Sequence, residues 1–175
     1  MGKSLSDKLF LQLKESIEWR SEEIKIFGRW VMQPRLTAWY GNAGKTYRYS
    51  GIEMKPLPWT PYLLEIKNKV EKQCDVSFNS VLLNYYRTGA DSMGWHSDDE
   101  PELGKNPVIA SVSFGAERLF CLRHKKEKSL QVKLKLTAGS LLIMTGETQH
   151  HWQHAIPKTT KPIGERINLT FRKII

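Results

Sequence analysis

The chain has 175 residues, with 27 Lys or Arg against 18 Asp or Glu and a formal net charge of +9. That length favours one domain, and a composition 40% hydrophobic and 26% charged is that of a soluble globular protein. No apolar run approaches the roughly 20 residues needed to cross a bilayer. The opening "MGKSLSDKLF" lacks the long apolar core of a signal peptide. Cys74 and Cys121 give neither a disulfide framework nor a zinc spacing. An intracellular protein with no membrane partner is therefore expected, cytoplasmic in a bacterium and nuclear in a eukaryote. The positive charge suits nucleic acid as partner; the bland alternative is a solvated lysine-rich surface.

In chain order, residues 5–19 place Leu9, Leu13 and Ile17 at helical spacing, with Ser6 or Asp7 as cap. "EIKIFGRW" reads as one short strand. In the turn-rich stretch that follows, Gly41-Asn42-Ala43-Gly44 reads as a hairpin tip and "KTYRYS" as the return strand. Thr60 caps, and Pro61 opens, a second helix running to about Cys74. From residue 78 the period changes to two. "NSVLLNYYR", "VIASVSFG", "RLFCLRH", "SLQVKLKL", "SLLIMTG", "HWQHAI" and "RINLTFRKI" all read as strands. The clearest sets Leu130, Val132, Leu134 and Leu136 against Gln131, Lys133 and Lys135. The order predicts a mainly β (α+β) chain whose core is a sandwich, jelly roll or barrel.

"GWHSDDE" (94–100) is the first stretch with chemistry in it. His96 and Asp98, two apart on extended chain, leave the same face. They can take adjacent corners of a metal ion, with a third ligand from a distant strand and open positions for a chelating cosubstrate and dioxygen. The same run also reads as a solvated acidic turn, or as Asp98, Asp99 and Glu100 gathering magnesium in a metal-dependent nuclease. The candidate third ligand lies in "QHHWQHAIP". Alternation puts His150 and His154 on one strand face and His151 on the other, and spacing does not choose between the first two. In "RINLTFR", Arg166, Asn168, Thr170 and Arg172 share one face, and Ile167, Leu169 and Phe171 the other. Two guanidinium groups facing inward need anionic partners, such as the carboxylates of 2-oxoglutarate. Asn84 and Tyr86 share a strand face and could hydrogen-bond the same dicarboxylate.

Taken together, "NYY", "HSDDE", "HAIP" and "RINLTFR", in that order, resemble the AlkB family of iron(II)- and 2-oxoglutarate-dependent dioxygenases. "FGRW", "QPR", "YGNAGKTYRYSG" and "KPLPW" extend the resemblance over roughly residues 24–175. The nearest subgroup repairs alkylated DNA, duplex DNA included. The resemblance implies a single domain, with a nucleotide-recognition lid and supporting helix at about 20–77 and a double-stranded β-helix (jelly-roll) core at about 78–175. It implies Fe(II) on His96, Asp98 and His154, and 2-oxoglutarate on Asn84, Tyr86, Arg166, Asn168 and Arg172. The implied reaction uses O2 and removes the methyl group of 1-methyladenine or 3-methylcytosine, releasing formaldehyde, succinate and CO2.

The flipped base would stack between Tyr49 and His96, beside Tyr47, with Asp99 and Glu100 facing its positive charge. Phe27 would be the intercalating finger, with Gly28 turning the backbone behind it, and Arg35 would contact the nucleic acid. Arg123, Lys125, Lys126 and Lys128, with Lys158 and Lys161, would meet the backbone of alkylated DNA. The loop "PKTTKPIGE" is less basic than its counterpart in the duplex-DNA subgroup, which moves the expectation toward single strands or RNA. A monomer is expected. The competing readings are the nuclease, a non-catalytic module that senses damaged bases, and an oxygenase acting on a protein.

Overall fold

Strand pairing, more than local propensity, decides the architecture. The structure is a computed structural model describing every residue except Phe27, Lys45, Thr46, Ser50 and Gly51; the side chains of Lys25, Ile26 and residues 47–49 and 52–54 also lie outside the description. In chain order come α1 (Lys3–Ser16), β1 (Glu23–Ile26), β2 (Arg29–Met32), β3 (Leu36–Gly41), β4 (Tyr47–Tyr49), β5 (Ile52–Met54) and α2 (Pro61–Cys74). Then follow β6 (Ser80–Tyr86), β7 (Met93–His96), a 3-10 turn at Pro101–Leu103, β8 (Ile109–Gly115), β9 (Arg118–His124), β10 (Gln131–Leu136) and β11 (Leu141–Met144). A short α3 (Thr148–His151), β12 (Trp152–Ile156) and β13 (Arg166–Arg172) complete the order.

Five strands form one antiparallel sheet, β11-β8-β13-β6-β3, and four form a second, β10-β9-β12-β7. Tyr86, Ile109, Phe120, Leu136, Met144 and Ile156, drawn from six strands of both sheets, pack into one cluster between them. The other face of the five-stranded sheet takes the helices. Leu9 and Leu13 of α1 and Leu63, Ile66 and Val70 of α2 meet Val81, Leu83, Val112, Ile167, Leu169 and Phe171. This is the expected jelly-roll sandwich. Truncating a residue such as Leu169, fully enclosed in that layer, costs roughly 2–5 kcal/mol.

Local chemistry accounts for several boundaries. The Thr60 hydroxyl accepts from the Leu63 N–H at 3.3 Å, Pro61 opens α2, and Asp75 closes it in the left-handed region at φ 51°. α1 differs from expectation: it starts at Lys3 and ends at Ser16, and Gly2 makes no side-chain cap bond. Ser6, expected as a cap, is buried inside the helix, and Ile17 is already extended. Gly28, φ +80°, makes the turn between β1 and β2, so "EIKIFGRW" is a hairpin and not one strand. Gly115, also at φ +80°, sits opposite Arg166; a Cβ there would stand 2.4 Å from the Glu165 carbonyl oxygen.

Among the described residues, β3 and β4 do not pair as the hairpin expected around Gly41–Gly44. β3 pairs with β6, and β4 pairs with β5 in a separate two-stranded sheet. Part of the stretch expected as lid, 36–41, is thus an edge strand of the main sheet. The alternation at 130–136 holds, but burial follows it only at one end. Leu136 is buried, whereas Val132 and Leu130 stay 43% and 47% exposed. Val132 lies in the cross-strand row of Leu122, His154 and His96.

Candidate metal centre and the adjoining slot

β7 and β12 pair so that His96 stands directly opposite His154, with ring centroids 4.1 Å apart. Asp98 lies two residues past the end of β7 and is 2% exposed. Its Oδ1 is 3.8 Å from His96 Nε2 and its Oδ2 3.9 Å from His154 Nε2. Those gaps are too long for hydrogen bonds and short enough to close on one ion. All three ligand atoms lie within 4.8 Å of one another, and no other metal-type cluster occurs among the described residues. His150 and His151 belong to α3, so strand alternation does not govern them; of the three histidines only His154 joins the group.

Protonation suits a cation. The His96 Nδ1–H donates to the Gly94 carbonyl at 3.0 Å, so Nε2 is the ring nitrogen left to face a ligand. Burial, helped by neighbouring His96, lowers the His154 pKa to about 3 against the pull of Asp98, so its imidazole is neutral. Burial alone would raise the Asp98 pKa; Arg172, His154 and His96 outweigh it and hold the carboxyl below its usual range. Asp98 Oδ1 accepts from Arg172 Nη2 at 2.8 Å, while buried Oδ2 accepts from nothing among the described residues. An ionised, desolvated oxygen without a partner is costly, and a metal ion answers it.

Gln149, 1% exposed, was not anticipated from sequence. Its Oε1 accepts from the Asp98 N–H at 2.9 Å, and its carbonyl accepts from Lys125 Nζ at 2.7 Å. Lys125 in turn pairs with Asp99 at 3.0 Å. One buried residue, through its side-chain oxygen and its backbone carbonyl, thereby links the Asp98 backbone to the Lys125–Asp99 pair.

The slot beside the triad is lined by Asn84, Tyr86, Arg166, Asn168 and Arg172. Arg166, 1% exposed, donates Nη2 to Ser113 Oγ at 2.9 Å; its Nε and Nη1 have no partner among the described residues. Its guanidinium stands 5.2 Å from the Tyr86 ring centre, with Arg118 at 5.5 Å from the same ring. Burial, partly offset by Tyr86 and reinforced by Arg118, lowers the Arg166 pKa to about 10, which leaves it charged at neutral pH. A sealed cation with two guanidinium nitrogens unanswered among the described residues is the counterpart of a carboxylate. Asn168 is less available than expected: Nδ2 donates to Ser111 Oγ and to the Val112 carbonyl, and Oδ1 accepts from Thr170. Ser111 and Ser113, absent from the sequence reading, are the hydroxyls that hold these groups.

Other expected residues fall elsewhere. Arg35, expected at the nucleic acid, is 2% exposed and turned inward, donating Nε to Asn84 Oδ1 at 2.7 Å. Arg35 immediately precedes β3, and the pairing of β3 with β6 carries it against Asn84. Phe27 lies outside the described residues. Tyr47 and Tyr49 lie on β4, and their side chains are outside the description. Asp99 is half exposed, and Glu100 precedes the 3-10 turn with Oε2 buried and unpartnered among the described residues. Asp98 faces the histidines while Asp99 pairs outward with Lys125, so the three carboxylates do not converge as a nuclease would need. Arg123 stacks 4.2 Å from the Trp95 ring and donates Nε and Nη2 to Gln153; Lys126, Lys128, Lys158 and Lys161 are exposed.

Comparison with known proteins agrees with this geometry. A family model described as the 2OG-Fe(II) oxygenase superfamily matches residues 1–172. The mouse protein named DNA oxidative demethylase ALKBH2 is 41% identical over 184 residues, spanning 99% of this chain and 77% of its own. The human protein of that name is 42% identical, over 99% and 70%. Bovine alpha-ketoglutarate-dependent dioxygenase alkB homolog 3 is 46% identical, over 97% and 62%. The solved structure of OsALKBH1 superposes with a TM-score of 0.64 at 16% identity, covering 97% of this chain and 90% of that one, a likeness of fold.

Proposed function

The chain belongs to the 2OG-Fe(II) oxygenase superfamily, and we propose that it is an oxidative demethylase of N-alkylated bases, 1-methyladenine and 3-methylcytosine, in DNA. Its cofactors are Fe(II) and 2-oxoglutarate. The observation behind the reading is the meeting, in one cavity, of a two-histidine, one-carboxylate triad and a buried arginine with two nitrogens unpartnered among the described residues. The names and identities of the ALKBH2 and alkB homolog 3 relatives support the choice of substrate.

In this reading His96, Asp98 and His154 hold the iron. Iron with 2-oxoglutarate and dioxygen supplies the oxidation, converting 2-oxoglutarate to succinate and CO2 while one oxygen atom enters the N-methyl group of the base. The rest is positioning by the chain. Arg166 and Tyr86 receive the distal carboxylate of 2-oxoglutarate, and Asn84 donates to it. Arg172 holds Asp98 ionised and in place. Phe120, Met93, Met144 and Ile156 line the cavity with apolar surface that keeps out water. The hydroxymethylated base then loses formaldehyde and regains its pairing edge. A base methylated there is cationic, and Asp99 and Glu100 beside the triad supply the opposing charge. Phe27, Tyr47 and Tyr49 are proposed to hold the flipped base and its gap. Exposed lysines at 126, 128, 158 and 161 supply backbone contacts, for which single-stranded DNA and RNA are alternatives to duplex.

Triad and slot come from one chain, which supports action as a monomer. No described helix is long and apolar enough to cross a membrane, and a DNA substrate implies an intracellular site of action. The test is mass spectrometry of an oligonucleotide with one 1-methyladenine, incubated with Fe(II), ascorbate and 2-oxoglutarate. Replacement of one methyl by hydrogen, dependent on 2-oxoglutarate and with the strand intact, is expected. Shortened strands, or an unchanged mass, contradict the proposal.

A further inference from the structure

We propose that Arg35 is a positioning residue for the cosubstrate slot: its guanidinium fixes the Asn84 amide with the oxygen turned toward Arg35 and the NH2 presented to the cavity. The inference rests on reading that cavity as the 2-oxoglutarate site.

A side-chain amide has two faces of opposite polarity, and rotation by half a turn exchanges them. For a carboxylate ligand only the NH2 face attracts. Arg35 removes the choice, because a guanidinium donates and cannot accept. Its Nε donates to Asn84 Oδ1 at 2.7 Å, so the oxygen must face Arg35. Asn84 lines the cavity, and its Nδ2 donates to nothing among the described residues. Nor is that nitrogen one of the sealed atoms lacking a partner, so it keeps access to the cavity space.

Arg35 is itself held from behind. Its Nη1 donates to the Ser92 carbonyl at 3.3 Å, the Ser92 N–H donates to the Pro34 carbonyl at 2.9 Å, and the Arg35 N–H to Gln33 at 2.8 Å. Thr37, two residues on, stands opposite Asn84 in the β3–β6 register. The guanidinium is thus fixed by the segment that follows the β1–β2 hairpin and by the loop before β7. Its described partners are an amide and a carbonyl, with no carboxylate among them.

The experiment is calorimetric titration of 2-oxoglutarate into protein loaded with Mn(II), with oligonucleotide affinity measured in parallel. Arg35→Met keeps the length and removes every donor. It is expected to weaken 2-oxoglutarate binding about tenfold while leaving Mn(II) and oligonucleotide affinity within about twofold. Asn84→Ala should give a similar loss, and the double variant little more than either single one. Asn84→Asp retains an acceptor for Arg35 but loses the donor, so it should bind 2-oxoglutarate at least tenfold more weakly even if the Arg35 variant folds poorly. Unchanged 2-oxoglutarate affinity in Arg35→Met, full additivity with Asn84→Ala, or wild-type binding by Asn84→Asp overturns the proposal. Loss confined to the oligonucleotide also overturns it and returns Arg35 to the nucleic acid. If the wild-type protein binds no 2-oxoglutarate, the assignment of the cavity fails and the proposal with it.

Discussion

On the four-stranded sheet the functional side chains stand near a border. β7 is one of its two edge strands, His96 ends that strand, and Asp98 lies beyond it. On the five-stranded sheet they stand at the centre. β13 lies between β8 and β6, and Arg166, Asn168, Thr170 and Arg172 are all buried. A border lets the metal face open toward a large substrate, and His96 keeps 25% of its side chain exposed. A centre lets neighbouring strands pin each donor, as Ser111 and Ser113 do. The two halves should therefore fail differently: loss of a metal-side group stops chemistry, while loss of a slot group trades ligand affinity against stability.

Asp98→Ala breaks this comparison most sharply. Turnover and metal binding should fall by about a thousandfold or more. Because the buried Arg172–Asp98 ion pair is broken, stability should drop by roughly 3–5 kcal/mol as well. Metal titration with urea denaturation measures both, and retained turnover would remove Asp98 from the site. On the slot side, Arg166→Met should cost about a hundredfold in 2-oxoglutarate affinity. The ligand-free protein should be no less stable, and up to about 1 kcal/mol more so, because two nitrogens unpartnered among the described residues disappear. Equal loss of affinity and of stability would erase the proposed contrast.

The metal side should also respond to acid. Below its ordinary 6.5, an unfolded His154 takes up a proton that the folded imidazole refuses until about 3. The unfolded state then binds more protons, so metal-free stability is full above pH 6.5 and declines as pH falls toward 3. About 2 kcal/mol should go between pH 6.5 and 5, and His154→Gln should flatten that slope in paired urea titrations. A slope equal to the wild type would assign it to another group. The smallest expected effect is that of Gln149→Leu, which frees the Asp98 N–H. Metal affinity should weaken about tenfold, and an unchanged affinity in a folded variant would reduce Gln149 to packing.

How much of this was legible in the sequence follows the reach of each interaction. His96 and Asp98 were legible because two residues on extended chain share a face by geometry alone. β13 was legible because its polar and apolar residues alternate without a break. α2 was legible from Thr60 and Pro61, whose capping chemistry is local. The choice of His154 over His150 was not legible from spacing, because it depends on α3 ending before β12. The hairpin near Gly41 was misplaced because β3 finds its partner in β6, beyond α2. The inward turn of Arg35 was not legible for the same reason, since "QPR" does not reveal which way the guanidinium points. Gln149 reaches Asp98 across 51 residues of chain, and no short-range pattern reports such a contact.

The central claim is one ion shared by His96, Asp98 and His154 beside a slot for 2-oxoglutarate. Calorimetric titration of Mn(II) into metal-free protein, with and without 2-oxoglutarate, tests it most directly. One equivalent should bind, more tightly with 2-oxoglutarate present, and 2-oxoglutarate should bind more tightly by the same factor when Mn(II) is present. Binding of Mn(II) that ignores both 2-oxoglutarate and the Asp98→Ala substitution would contradict it.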